Sequence, residues 1–166
     1  MKDARPCSIA ETLALVGEKY SLLVLREVSL GATRFDQLVR NIGAPRDVLT
    51  TRLKRLVDAG VLEKVEYSDR PKRYEYRPTR AGLELEPVLV TLMAWGDRHL
   101  QEGGFRPMVL EHTCGNELVP QVVCRECGQQ VEHDDLTAHP QVPGWTVTGP
   151  AAAQPGGRRE PEPVRS

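Results

Sequence analysis

The chain has 166 residues, 40% of them hydrophobic, which leaves room for one core of ordinary size with an appendage. No apolar run approaches the roughly 20 residues of a membrane-spanning helix, and the opening MKDARPCSIAE lacks the unbroken apolar stretch of a secretory signal, so no membrane partner and a cytoplasmic location are expected. The formal net charge of −1 hides an asymmetry: residues 1–80 hold 16 Lys and Arg against 11 Asp and Glu, and residues 81–166 hold 6 against 12.

Ser8 with Glu11 three residues on forms a capping-box pattern, and Ile9, Leu13 and Val16 make a helical stripe ending at Gly17. EKYSLLVLREVSLG then predicts a helix buried on most sides and stopped by Gly31. Phe35, Leu38, Val39 and Ile42 repeat at i, i+3, i+4 and i+7, giving a short third helix broken by Gly43.

Pro45 suits the first turn of a fourth helix whose inner face is Val48, Leu49, Leu53, Leu56 and Val57, with Gly60 as its stop. Arg46, Asp47, Thr50, Thr51, Lys54 and Arg55 fall on the other side. Two helices around a glycine turn are the helix-turn-helix pattern, and the second one offers hydroxyls and cations suited to base edges in a major groove. An ordinary amphipathic hairpin with a solvated outer face would read the same way.

The segment after Gly60 separates the two readings. Residues 61–67 and 74–77 alternate as strands around the turn SDRPKR, a β-hairpin with a basic tip. A hairpin directly after a recognition-type helix is a wing, and Arg70, Lys72 and Arg73 supply charge for phosphates without needing a particular base. Thr79 is placed to cap a long helix over residues 80–100. Leu85, Leu89, Leu92 and Trp95 form its stripe, and Pro87 marks a bend or restart. So long a stripe outruns a small winged core, which points to a second copy of the chain as partner; packing back onto the same domain is the alternative.

The residues from Cys7 to about Leu100 resemble the HxlR family of bacterial winged helix-turn-helix transcription regulators, relatives of the MarR type. The likeness rests on Cys7, LALVGEKYSLLVLREV, RFDQLVRNIGAPRDVLTTRLKRLVDAGVLEK, the wing RPKRYEYRPTRAG, and Trp95-Gly96. Tyr20 departs from the tryptophan usual in the family while keeping an aromatic contact. The resemblance implies a homodimeric, sequence-specific binder of double-stranded DNA, more a repressor than an activator, acting on an inverted repeat and not an enzyme. It further implies that Cys7, at a helix start where thiolate is favoured, could sense an oxidant or electrophile; a buried, unreactive thiol is the other reading. A small-molecule effector is also open.

Downstream, Cys124 and Cys127 stand two residues apart before Gly128, as in a zinc knuckle, and EHTCGNEL offers His112, Cys114 and Gly115 as the opposing half. A structural zinc held by His112, Cys114, Cys124 and Cys127 is expected. Because only one residue separates His112 from Cys114, His133, Glu111 or a water stands as an alternative fourth ligand. A small ribbon with reduced thiols, or a Cys124–Cys127 disulfide, remains open. From residue 140 the chain is dense in Pro, Gly and Ala.

The expected architecture is therefore mainly α with a small β-wing. Residues 1–103 form a winged helix-turn-helix domain for DNA binding and dimerisation, 104–139 a zinc-ribbon-like module, and 140–166 a disordered tail. Two other classes stay in view: a winged helix that contacts protein instead of specific DNA, and a thiol redox enzyme. The thioredoxin form of the latter fails because C-R-E-C-G follows no βαβ pattern.

Overall fold

The computed structural model describes residues 5–151, which divide into two units: Ser8–Val131, and the residues up to Cys7 together with those from Glu132 onward. In the larger unit, α1 (Ser8–Val16), α2 (Lys19–Ser29), α3 (Phe35–Ile42) and α4 (Arg46–Asp58) are followed by β1 (Leu62–Asp69), β2 (Lys72–Pro78), α5 (Arg80–Leu83) and α6 (Glu86–His99).

The breaks between helices fall at glycines for a backbone reason. Gly43 (φ 67°) closes α3 in the left-handed region, where any side chain would be strained, and Gly60 (φ 69°) does the same after α4. Leu38 of α3, Leu49, Leu53 and Leu56 of α4, Val24 of α2 and Leu62 of β1 are completely buried against one another. This cluster fixes α4 across α2 and leaves its opposite face outside.

β1 and β2 pair antiparallel, with an irregularity between Glu66 and Ser68. The segment before α3 joins them: the Tyr76 N–H donates to the Thr33 carbonyl at 2.8 Å, and Arg34 bridges to Glu75. Strict alternation is not kept along β1. Val61 and Leu62 are both buried, while beyond them only Val65 and Ser68 are partly covered. The base of the hairpin enters the core and the rest projects from it, so a one-face burial pattern does not develop.

Thr79 does cap the helix it precedes, its hydroxyl oxygen accepting from the Gly82 N–H at 3.3 Å and its hydroxyl donating to the Gly60 carbonyl at 2.6 Å. That helix is only the short α5. The chain restarts as α6 with Pro87 in its first turn, where a missing N–H costs nothing.

Past α6 the larger unit ends in two small hairpins. In one, the Leu118 N–H reaches the Leu110 carbonyl at 2.7 Å and Glu111 bridges to Glu117; in the other, the Val131 N–H reaches the Val122 carbonyl at 2.9 Å and Val123 bridges to Gln130. The smaller unit contains a short 3₁₀ turn at His133–Asp135, a bridge between Trp145 and Pro150, and Arg5 held over the Trp145 ring at 5.8 Å. The expected disordered tail, 140–166, falls partly on these residues; its portion from 152 onward, including Arg158 and Arg159, lies outside the described residues.

Candidate nucleic-acid interface

The outer face of α4 begins at Pro45, which sits as its N-cap, and continues through Arg46, Asp47, Thr50, Thr51 and Lys54, all exposed. Its polar groups are already partly used. The Thr50 hydroxyl donates to the Arg46 carbonyl at 2.7 Å and that of Thr51 to the Asp47 carbonyl at 3.0 Å, so what each presents outward is an acceptor oxygen. Arg46 is held by the Asp36 carboxylate at 3.0 Å and lies 4.8 Å from the centre of the Phe35 ring. Arg52 and Arg55 turn the other way, both onto Glu18, and Arg55 also reaches the Ala14 carbonyl. The positive charge read along this helix therefore divides, and Arg46 and Lys54 are the cations that stay on the outer face.

At the wing, Arg70, Lys72 and Arg73 are exposed. Lys72 stands 3.7 Å from Glu66, a loose contact across the hairpin. Arg73 is brought to a polar groove of about 510 Å³ between α3 and the wing, whose walls include Arg34, Arg40, Tyr67 and Tyr74. Arg34 stacks over the Tyr67 ring at 4.7 Å. Asp36, the partner of Arg46, also lines it, so the groove leads from the wing to the first turn of α4. Three arginines against one carboxylate give this groove a net positive lining of the kind that can receive an anionic group, and the aromatic rings offer the guanidinium groups flat supports. Arg34, Arg40, Tyr67 and Tyr74 escaped the sequence reading because they belong to the helix before the recognition helix and to the strands, and meet only when the wing folds back.

Residues 15–103 of this chain match the HxlR-like helix-turn-helix model. The chain belongs to that family. It is 43% identical over 134 residues to an uncharacterized HTH-type transcriptional regulator of Mycobacterium tuberculosis, a match covering 80% of this chain and 85% of the relative. Among solved structures, PA1607, described as a candidate transcription factor, superposes with a TM-score of 0.73 at 28% identity, covering 81% of this chain and 95% of PA1607. The redox regulator HypR in its reduced form matches with a TM-score of 0.53 at 26% identity over 55% of this chain and 92% of HypR. The fold and the relatives are those of transcription regulators, not enzymes.

None of the four cysteines belongs to this HxlR-like surface. Cys7 is exposed immediately before α1. Cys114 and the Cys124/Cys127 pair sit at the tips of the two small hairpins, whose turns are closed by Gly115 (φ 84°) and Gly128 (φ 72°). The backbone N–H of Asn116, with its side-chain amide second, holds the Cys114 thiol below its ordinary range; the N–H groups of Cys127 and Glu126 do the same for Cys124. Such donors aimed at sulfur favour the thiolate, the form that binds metals. The His112 Nδ1 instead accepts from the Cys114 N–H at 3.3 Å, within its own turn. Among the described residues no three His, Cys, Asp or Glu side chains are gathered closely enough to share a metal ion, so His112, Cys114, Cys124 and Cys127 do not form one cluster here. No helix of the described residues is long and apolar enough to cross a membrane.

Proposed function

We propose that this HxlR-like chain acts in the cytoplasm as a homodimeric, sequence-specific repressor that binds an inverted-repeat operator in double-stranded DNA. The observation that carries the reading is the continuity of one surface: the outer face of α4, the arginine-lined groove beside it, and the basic wing tip. In this reading Arg46, Thr50, Thr51 and Lys54, with Pro45 and Asp47 at the helix start, face base edges, whereas Arg70, Lys72 and Arg73 hold the sugar-phosphate backbone. A dimer would place two such helices in successive major grooves, about 34–36 Å apart on one face of the duplex.

Support for the dimer comes from apolar groups left outside. Val88, Leu92 and Trp95 of α6 are about half exposed (52%, 51% and 48%), and Ile9 and Leu13 of α1 more so (70% and 53%). Exposed apolar surface of this extent on two helices is what a subunit interface covers. The likeness to a redox regulator supports a response to oxidants or electrophiles through Cys7. A structural zinc on Cys114, Cys124 and Cys127, with His112 as the remaining candidate, would require the two hairpin tips to close on one another; the glycine turns and the N–H groups directed at Cys114 and Cys124 are what favour it.

The test is selection of bound fragments from genomic DNA with the purified full chain, followed by footprinting. An inverted repeat with half-sites one helical turn apart is expected. Binding without sequence preference, or with little salt dependence, would instead favour a protein-interaction module.

A further inference from the structure

A groove of about 460 Å³ runs between α2, α6 and the segment beyond α6. Its walls are apolar where Leu22 and Leu23 of α2 face Leu89 and Met93 of α6, with Met108 contributing from beyond α6. That volume falls within the roughly 300–1,000 Å³ of small-molecule sites, which combine a largely apolar lining with a few placed polar groups.

The polar groups here have one sign in excess. Glu27, Glu86 and Asp97 line the groove against a single cation, Arg26. Arg26 is spent on Glu27, its Nη2 lying 2.6 Å from the carboxylate. Among the described residues Glu86 takes a hydrogen bond from the Ser29 hydroxyl, a neutral donor that leaves its charge in place. Asp97 is felt by Arg106, a cation outside the groove lining whose guanidinium is paired with Glu117. The wall is also preformed: Glu27 is buried and held from a second side by Asn41, whose Nδ2 donates at 2.7 Å.

This groove and the apolar stripe proposed for the dimer lie on different parts of α6. At about 100° per residue, Glu86, Leu89, Val90, Met93 and Asp97 share an arc of α6 whose centre lies roughly 140° from that of Val88, Leu92 and Trp95. Leu92 alone borders both. A second copy laid on the exposed stripe would leave the groove to another occupant, and an apolar subunit face would leave the carboxylates without partners.

We propose that this groove binds a small organic cation with an apolar body, the body lying among Leu22, Leu23, Leu89, Met93 and Met108 and the positive charge near Glu86 and Asp97. Charge and apolar shape are both required. An anion of the same size meets the carboxylates of Glu86 and Asp97, and a hydrophilic cation leaves the apolar walls wet.

The experiment is equilibrium dialysis of the full chain, in sodium buffer without DNA, against tetraphenylphosphonium and the size-matched anion tetraphenylborate. The expected result is one phosphonium bound per chain, at least tenfold more tightly than the borate. Asp97→Asn with Glu86→Gln, a pair outside the core, should remove most of that preference. Met93→Trp should abolish binding by filling the groove, with circular dichroism and light scattering confirming wild-type fold and oligomeric state. Should Met93→Trp misfold, Leu23→Phe provides the same test by partial filling. Equal affinity for the two ions overturns the proposal, as does phosphonium binding indifferent to both the carboxylate pair and a folded groove-filling variant. Since no DNA is present, the outcome stands apart from operator recognition.

Discussion

Arg46, on the first turn of α4, donates to the Asp36 carboxylate of α3 at 3.0 Å. The pair is fully on the surface, so it contributes little to stability, but it governs where the first cation of the proposed reading helix points before DNA arrives. Asp36→Asn removes a negative charge from the DNA-facing side and frees the guanidinium. Affinity for all sequences should rise, with a salt slope steeper by about 1, because the DNA-facing surface gains one unit of net positive charge. Fluorescence anisotropy on operator and unrelated duplexes at several salt concentrations measures this; an unchanged slope would mean that the Asp36 charge plays no part in DNA binding.

The helix and the wing should differ in what they control. Arg46→Ala or Thr50→Ala should relax sequence preference, costing about 1–3 kcal/mol at an affected base pair, because base edges lose a partner. Lys72→Ala or Arg73→Ala should weaken binding to every sequence and flatten the salt slope. The groove adds Arg34→Ala and Arg40→Ala to the second class. Competition assays with single-base operator variants separate the classes, and identical behaviour of helix and wing variants would defeat the division of roles.

How far the sequence could be read depended on how local the determinant was. Gly43, Gly60 and Pro87 act on their own backbones, so the ends of α3 and α4 and the restart at α6 were legible without knowledge of packing. The pairing of Arg52 and Arg55 with Glu18, and the meeting of Arg34 with Tyr67, depend on helices and strands distant in sequence, which leave no periodic trace. The thiols are an intermediate case. Each glycine turn was visible as a motif, but how Cys114 sits relative to Cys124 and Cys127 is decided by hairpin placement, which residue spacing does not encode.

The apolar stripe of α6 also needed the structure. Leu85 and Leu89 pack on their own domain, whereas Val88, Leu92 and Trp95 stay exposed. The dimer is therefore best tested at Leu92→Asp with Trp95→Ala, since an acid at Leu89 would damage the monomer's core as well. Light scattering should report a dimer for the natural chain and monomers for the double variant, with weaker operator binding. A natural chain that is monomeric at assay concentrations ends the dimer proposal.

Gly82 tests the junction between wing and α5. It is buried, and a Cβ there would stand 2.3 Å from the Val61 carbonyl oxygen, a backbone atom that cannot swing aside. Gly82→Ala should cost about 1–3 kcal/mol through overpacking, read as a lowered Tm. DNA affinity should fall less than stability, because the junction braces the wing without reaching its tip.

The hairpin thiols lead to a metal measurement. Protein purified without chelator should carry about one zinc per chain, lost when Cys114, Cys124 and Cys127 are all changed to Ser. Elemental analysis decides it. Metal-free protein, together with an unchanged fold in the triple variant, would leave the two hairpins as reduced-thiol loops.

The last prediction concerns Cys7. Its thiol is exposed in the residue before α1, and α1 carries Ile9 and Leu13 on the surface proposed for the dimer. Oxidation or alkylation at that position would add bulk, or a cross-link between subunits, beside the interface. A small rotation of one subunit against the other then changes the distance between the two α4 helices, and a site spaced by one helical turn no longer accepts both. A quinone or diamide should therefore release DNA from the natural chain and not from Cys7→Ser, with Cys114, Cys124 and Cys127 left in place in both. Mass spectrometry of the treated protein identifies which thiol has reacted. If both chains release DNA alike, the responding thiols are those of the hairpins, and Cys7 plays no part in sensing. If neither responds although Cys7 is modified, the interface tolerates the added group and the coupling between α1 and the spacing of α4 is absent.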